Sequence, residues 1–194
     1  MDKGGAIFAL LTVFAVMLGS WFFAGMHVSM TTEEVGYKVL YELEENTEVR
    51  EYGEMAVVST SSNDIDDAFS VLSSYISGNN AEKEKIEMTY PLIIFEDENL
   101  VNMSFILPRM YDADNAPPPV NPEIKIQSIP ARKVAVIEFS GYAKDEIIGE
   151  KRSDLSLQLD ENGIVPKEDF FQMRYNPPWI PPALMHNEIV IEVE

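Results

Sequence analysis

Residues 47–76 read TEVREY (47–52), GE (53–54), MAVVST (55–60) and, after two serines and Asn63, DIDDAFSVLSSYI (64–76). The first and third segments are rich in β-branched and aromatic residues, which favour strands, and the Gly-Glu pair between them can form a turn. In the last segment the apolar residues recur at helical spacing. Asn63 or Asp64 can cap its N-terminus, and Gly78 can end it. This change of period predicts a fold of the α+β class.

The same order of elements recurs further along the chain. Further strands are predicted at Tyr37–Leu43, Ile86–Phe95 and Leu100–Leu107 and, beyond the proline-rich loop 116–122, at Glu123–Gln127, Ala131–Phe139, Phe170–Tyr175 and Asn187–Glu194. A second helix is predicted at Lys144–Leu159. Strands, a helix and strands therefore occur once before the loop and once after it. Two such halves, neither able to bury its sheet alone, predict a distorted β-barrel or curved sheet with two packed helices.

An apolar run precedes these elements. It covers Ala6–Met26, within a stretch from residue 4 to residue 32 that contains no Asp, Glu, Lys or Arg. A bilayer core needs roughly 20 such residues at a rise of about 1.5 Å each. A cleaved signal usually has a shorter apolar region of about 7–15 residues and a small-x-small cleavage site. Trp21-Phe22-Phe23 closes this run without such a site, so an uncleaved transmembrane helix is predicted.

The predicted organisation has four parts: a tail at 1–5, a transmembrane anchor at 6–26, a stalk at 27–36 and a folded domain at 37–194. Lys3 favours a cytoplasmic N-terminus, although Asp2 weakens that signal. The expectation is a single-pass protein of the cell membrane whose folded domain stands on the outer face.

The charge of the chain excludes some partners. There are 33 acidic residues against 14 basic ones, a formal net charge of −19. Such a surface repels nucleic acid and anionic lipid headgroups, so neither is expected as a partner. The chain has no cysteine, which removes disulfides and thiol chemistry.

Motifs of catalysis and of metal binding are missing from the sequence. It contains no His-Glu-x-x-His spacing, no Gly-x-Ser-x-Gly elbow and no glycine-rich phosphate loop. We therefore predict that the chain is not an enzyme and name no catalytic residue. The two histidines, His27 and His186, are far apart, and only His186 is a candidate metal ligand. A structural role is the expectation for it.

Five phrases together carry a family resemblance. They are Ile76–Asn80, Lys85–Leu92, Met103–Pro108, Phe139–Ala143 and Arg174–Pro181 leading to Asn187–Ile189. In this order and at these distances the chain resembles the SOUL haem-binding protein family, from near Tyr37 to the C-terminus. The resemblance implies a barrel of two similar halves with eight or nine strands and two helices.

The resemblance also implies a ligand, which is haem or a related tetrapyrrole held without a covalent bond in a hydrophobic groove. The groove would lie beside the first helix and near the C-terminal strands. The residues expected to line it are Phe69, Leu72, Tyr75, Ile76, Arg174, Tyr175 and Trp179. Among them, Arg174 would pair with a propionate.

Two departures from the family pattern leave an alternative open. Asp64–Gly78 has no Lys or Arg to pair with propionates, and the family's Arg-Asn-Glu is His186-Asn187-Glu188 here. The predicted function is that of a membrane-anchored tetrapyrrole-binding protein. The alternative is a surface interaction module of the same fold that binds another hydrophobic small molecule, or a protein partner not yet identified, without haem.

Overall fold

A computed structural model describes residues 3–31, 33–44, 46–97, 100–167 and 169–194. The helices are α1 (Lys3–Thr31), α2 (Ile65–Ile76) and α3 (Asp145–Glu161), with a short 3₁₀ turn at Pro182–Leu184. The strands are β1 (Glu33–Glu34), β2 (Tyr37–Glu42), β3 (Thr47–Tyr52), β4 (Met55–Ser62), β5 (Thr89–Tyr90), β6 (Leu92–Asp97), β7 (Leu100–Ile106), β8 (Lys125–Ile129), β9 (Arg132–Phe139), β10 (Phe171–Arg174) and β11 (Asn187–Glu192). Residues 1 and 2 of the predicted tail and residue 32 of the predicted stalk lie outside the described residues.

One curled antiparallel sheet forms the body of the molecule. Within the described ranges it contains nine strands in the order β2-β3-β9-β11-β10-β6-β7-β4-β8. A small parallel pair, β1 with β5, lies apart from it. The predicted α+β barrel-like fold is confirmed, in the form of a half-barrel.

The sheet order reveals the two halves. Exchanging β3 with β8, β4 with β9, β6 with β10 and β7 with β11 gives the order from β3 to β8 read from its other end, as expected for a twofold repeat. The helices follow the same rule, because α2 packs on β4 and β7 while α3 packs on β9 and β11. The first strand of each half pairs with a strand of the other half, β3 with β9 and β8 with β4. Neither half can therefore complete its sheet alone.

Each helix covers its own core. The buried residues of α2 are Ala68, Leu72, Tyr75 and Ile76, which pack in the larger core cluster. Those of α3 are Ile148, Leu155 and Leu159, which pack in a second cluster with residues of β9 and β11. Burial of these side chains supplies the main stabilisation of each helix, at roughly 1.5–3 kcal/mol for a fully buried aliphatic residue.

Several strand ends differ from the predicted ones by one or two residues, and two of the differences have a visible cause. The segment predicted as one strand at Ile86–Phe95 is divided into β5 and β6 at Pro91, which has no N–H to donate to a neighbouring strand. The strand predicted to begin at Glu123 begins at Lys125. The cause is a turn centred on Asn121, whose side-chain oxygen accepts from the Glu123 N–H at 3.0 Å.

The start of α2 resolves a choice that the sequence leaves open. Asp64, not Asn63, is the N-cap, and its Oδ1 accepts from the N–H groups of Asp66 at 2.8 Å and Asp67 at 3.2 Å. At the other end Gly78 has φ +104°, a conformation that favours glycine. Both predicted ends of this helix are thus present.

Replacing the cap tests this local account. Asp64→Ala should lower the free energy of unfolding by about 0.5–2 kcal/mol, because two N–H groups of the first turn lose their acceptor. Thermal unfolding of the full chain in a mild detergent would measure the change. Asn63→Ala is the matched control, and an equal loss in that variant would contradict the assignment of the cap.

The N-terminal helix continues beyond its predicted apolar limits. α1 is one helix of 29 residues that extends through the first half of the predicted stalk. Its Leu10–His27 segment is long and apolar enough to cross a membrane, by length and composition. The apolar side chains described along it, among them Phe8, Leu11 and Phe14, are largely exposed.

Candidate functional site

A cleft of about 270 Å³ lies where the two halves meet. Its walls come from the first turn of α2, from β5, β6 and β7, from the loop after β9, and from the segment that follows β10. The lining residues are Ile65, Asp66, Phe69, Met88, Tyr90, Leu92, Ile94, Met103, Tyr142, Ala143, Arg174, Asn176, Pro177, Pro178, Met185 and Asn187. Most are apolar or aromatic and a few are polar, which is the usual composition of a small-molecule site.

The cleft contains two of the residues named from the sequence, Phe69 and Arg174. Phe69 is 37% exposed and lies at the edge of α2, with its ring 5.4 Å from that of Phe105. Arg174 ends β10, and its Nε and Nη2 donate to Gln172 Oε1 at 3.3 and 2.9 Å. An apolar wall and a basic rim are thus brought together.

The other residues named on α2 have a different environment. Leu72, Tyr75 and Ile76 are buried in the core beneath the helix, and the Tyr75 hydroxyl donates to the carbonyl of Pro117 at 2.7 Å. Helical spacing indicates which side chains leave solvent. Helical spacing does not distinguish the α2 side chains that pack on the sheet from the α2 side chains that line the cleft.

The two aromatic residues named near the C-terminus also lie outside the cleft lining. Tyr175 is buried and its hydroxyl donates to Glu188 Oε2 at 2.9 Å. Trp179 is 48% exposed, and its carbonyl accepts from Trp21 Nε1 at 2.7 Å.

Several lining residues were not named from the sequence, although a signal for them was present. The phrases that carry the family resemblance contain most of them: Met88, Tyr90, Leu92, Met103, Tyr142, Ala143, Asn176, Pro177, Pro178 and Asn187. The phrases are separated in sequence and meet at one cleft in the fold. They could have been chosen directly as the candidate wall.

The charges of the cleft are balanced. Among the described lining residues, Asp66 is the single acid and Arg174 the single base. Burial lowers the pKa of Arg174, while the carboxylates of Glu96 and Asp145 act in the opposite direction. A partly desolvated guanidinium forms stronger ion pairs with a bound anion than a guanidinium in water.

The lining fits an apolar ring better than it fits a histidine-ligated iron. A cleft of this volume is near the lower end of the usual range of roughly 300–1,000 Å³, so it would enclose part of a tetrapyrrole and leave an edge outside. Among the described residues no histidine lines it, whereas the thioethers of Met88, Met103 and Met185 do. A methionine sulfur is a known haem ligand type.

A second polar feature lies in the sheet. The guanidinium of Arg50 on β3 is fully buried and pairs with Glu188 at 2.7 Å, with Glu48 at 2.7 Å and with Glu138. The Tyr37 ring covers it, with the Arg50 Cζ 4.1 Å from the ring centroid. We call Glu48, Arg50, Glu138, Tyr175, His186 and Glu188 the Arg50 network.

The register of the sheet explains why this arginine is needed. Glu138 on β9 and Glu188 on β11 are directly opposite each other, and like charges in that position destabilise a sheet. Arg50 donates to both carboxylates and so compensates their repulsion. Burial of Glu188 favours its neutral form, but contacts with His186 and Arg50 outweigh burial and hold its pKa below the ordinary value.

His186 lies at the edge of this network. Its ring stacks on Tyr175 at 4.0 Å, and its Nε2 lies 3.1 Å from Glu188 Oε1. Burial opposes protonation of the imidazole, but the contact with Glu188 and the charge of Glu138 outweigh burial and raise the pKa of His186. The network residues all lie outside the cleft lining.

The same residues include a set with the composition of a metal site. Glu138, His186 and Glu188 place one ligand atom each within 4.8 Å of one another. Both carboxylates already accept hydrogen bonds from Arg50, so a cation would have to compete with a buried guanidinium. The structural role expected for His186 from the sequence stays a prediction.

Solved structures share the fold. The chain is 17% identical to the C-terminal domain of EcmrR, covers 99% of that chain with 78% of its own, and has a TM-score of 0.58. An uncharacterized conserved protein from Listeria innocua is 12% identical, with 79% of this chain and 95% of that one covered and a TM-score of 0.59. At these identities the likeness concerns the fold alone.

Sequence comparison gives the family. Human Heme-binding protein 2 is 31% identical over 145 residues, which are 68% of this chain and 70% of that protein. The family model described as SOUL heme-binding protein matches residues 32–192, the region that forms the sheet, its two helices and the cleft. The chain therefore belongs to the SOUL haem-binding protein family.

Proposed function

We propose that this chain is a single-pass membrane protein that binds haem or a related tetrapyrrole, without a covalent bond, in the cleft between its two halves. The observation that carries the proposal is the composition of the cleft. The segments with the family resemblance meet there and form an apolar wall with one basic residue, Arg174, at its edge. Family membership and the human haem-binding relative supply independent support.

Apolar and charged side chains of the cleft would contact different parts of the tetrapyrrole. Phe69, Leu92 and Ile94 would contact the face of the ring, at roughly 25 cal/mol for each Å² of apolar surface removed from water. The guanidinium of Arg174 would pair with a propionate, and the carboxylate of Asp66 in the same lining would repel the second propionate toward solvent. Bound haem would supply an iron centre, and the thioethers of Met88, Met103 and Met185 are the lining groups of a type that could hold it.

The membrane anchor is part of the proposal. Residues 6–26 would cross the bilayer, residues 27–36 would link them to the domain, and residues 37–194 would hold the ligand on the outer face. Retention of the helix is supported by its fit to the domain. Gly25 is buried, and a Cβ at that position would come within 2.9 Å of Pro181 Cδ. A signal sequence that is cleaved off does not need to pack closely against the folded domain.

The activity we propose is binding and not catalysis. The family is one of haem-binding proteins. The most perturbed titratable groups belong to the Arg50 network, where Arg50 and Glu188 are locked in ion pairs inside the sheet. Ion pairing between Arg50 and Glu188 explains their shifted pKa values, so these shifts do not indicate a catalytic role.

A haem titration of the full chain in a mild detergent tests the proposal. Soret absorbance should show saturable binding at micromolar haem. The spectrum should be broad, as expected for five-coordinate or unligated iron. Absence of any spectral change beyond that of haem in detergent alone would contradict it. That result would favour the alternative of an interaction module of the same fold that binds without haem.

The basic edge of the cleft gives a first variant. Arg174→Gln should weaken haem binding by about tenfold, equivalent to about 1.4 kcal/mol, because the propionate loses a partly desolvated partner. The same titration measures the effect. Arg109→Gln, at an exposed arginine outside the cleft lining, should bind haem as the parent does. Equal losses of haem affinity in Arg174→Gln and Arg109→Gln would contradict a specific role of Arg174 and would show a general effect of charge.

The histidine outside the cleft gives a second variant. His186→Ala should change haem affinity by less than about tenfold, about 1.4 kcal/mol, because its ring packs on Tyr175 and contacts Glu188 away from the cleft. A sharp six-coordinate spectrum that disappears in this variant would contradict the structural role of His186.

A further inference from the structure

The segment from Asn176 to Met185, here called the proline segment, combines four prolines with an exposed tryptophan. It reads NPPWIPPALM and contains no charged residue, in a chain with 33 acids and 14 bases. Trp179, Pro178 and Ala183 are exposed on it. An uncharged segment that exposes an indole is the composition found at the interface of a bilayer.

The proline segment lies against the C-terminal part of α1. Trp21 Nε1 donates to the carbonyl of Trp179 at 2.7 Å. One turn further along the helix, Gly25 faces the segment, and a Cβ there would meet Pro181, Ile180 and Leu184 within 3.5 Å. Glycine permits this close approach of a helix to a neighbouring chain.

This contact fixes the depth of the segment if α1 crosses a membrane. The apolar run ends at Met26, and Trp21 is five residues, or about 7.5 Å of helix, on the lipid side of that end. Elements that lie in the interface are buried by about 5–10 Å. A segment that contacts α1 between Trp21 and Gly25 lies about 1.5–7.5 Å inside that end, which overlaps this range.

The backbone of the proline segment suits a medium poor in water. Four of its ten residues are prolines, which have no N–H group. The carbonyls of Pro177, Trp179, Pro181 and Pro182 accept hydrogen bonds, from Ile180, Trp21, Leu184 and Gly141 respectively. In lipid each unsatisfied backbone group costs several kcal/mol, so these four hydrogen bonds lower the cost of placing the segment near lipid.

We propose that the proline segment lies in the interfacial layer of the bilayer crossed by α1 and forms a second membrane contact of the domain. The inference rests on the membrane anchor of the proposed function and is independent of haem. Because Pro177, Pro178 and Met185 also line the cleft, one wall of the cleft is then at the level of the headgroups. The cleft is placed to exchange an amphipathic ligand with the lipid phase.

The absence of cysteine from the chain permits a clean test. Single cysteines are introduced as Ala183→Cys in the proline segment, as Val13→Cys in the exposed middle of α1, and as Val165→Cys at the opposite end of β11. Each full-length variant is labelled with a nitroxide and reconstituted in phosphatidylcholine vesicles. Power saturation by oxygen, which partitions into lipid, and by a water-soluble nickel chelate then measures the depth of each label.

The expected result is that the labels at Val13 and Ala183 respond mainly to oxygen, with Ala183 shallower, while Val165 responds mainly to nickel. If the label at position 13 lies in lipid but the label at Ala183 responds as the label at Val165 does, the proline segment is not in the interface. The transmembrane anchor is then still supported. Should Val13 itself respond to nickel, the anchor fails and the inference fails with it.

Discussion

Arg50→Met should lower the free energy of unfolding by about 3–5 kcal/mol, because it removes the guanidinium that compensates both the buried charge of Glu188 and its repulsion with Glu138. The side chain of Glu188 is fully buried, and Glu138 faces it across the sheet. Each kcal/mol corresponds to about 2–4 °C in a domain of this size, so the melting temperature should fall by about 6–20 °C. Thermal unfolding of the full chain in detergent measures it.

A surface ion pair provides the control. Lys151→Ala removes a lysine that contacts Asp154 at 2.8 Å on the exposed side of α3, and such pairs contribute at most about 1 kcal/mol. A loss in Arg50→Met no larger than in Lys151→Ala would show that the network does not stabilise the sheet.

The pH dependence of the stability difference between the parent and Arg50→Met tests whether the carboxylate of Glu188 causes the loss. The pKa of Glu188 is held low in the folded protein, so its stabilising ion pair is present above the ordinary carboxyl pKa and is lost as the pH falls through the lowered value. The parent should therefore lose stability on acidification. Arg50→Met should lose less stability, because protonation of Glu188 removes a charge that Arg50 no longer compensates. The difference in the free energy of unfolding between the parent and Arg50→Met should therefore decrease as the pH falls.

The elements of the fold were predictable because local sequence controls them. The change of period after Asn63, the capping aspartate at 64 and the glycine at 78 each act within one turn of helix, and α2 begins and ends as they indicate. The two halves also followed from the order of elements. Where the prediction was wrong, at Pro91 and Asn121, a single side chain or a missing N–H changed the backbone pairing.

The Arg50 network could not be predicted in this way. Arg50, Glu138 and Glu188 belong to three strands, and their proximity depends on the register between β3, β9 and β11. A pattern of alternation gives the face of each residue but not its partner across the sheet. The mixture of acidic and basic residues inside these strands was the only local sign of it.

The candidate site was predictable at the level of segments more than of side chains. Helical spacing grouped Phe69 with Leu72 and Tyr75, although only the first lines the cleft. Tertiary packing separates them, because the sheet lies beneath the middle of α2 and the cleft opens beside its first turn. Arg174 was identified from its neighbourhood in the chain, and the end of β10 places it at the cleft.

Filling the cleft tests the central claim, that the tetrapyrrole binds between the two halves. Ala143 is a small, partly buried residue of the cleft wall. In Ala143→Trp the indole should occupy much of the 270 Å³ and exclude the ring. Haem affinity should then fall at least about a hundredfold, equivalent to about 2.8 kcal/mol.

The decisive measurement is a Soret titration of Ala143→Trp beside Ala131→Trp, which places the same side chain at an exposed position outside the cleft. Thermal unfolding of both variants checks that the fold is retained. The account predicts that the first variant loses haem binding and the second binds haem as the parent does. Undiminished binding by a folded Ala143→Trp variant would contradict the cleft as the haem site.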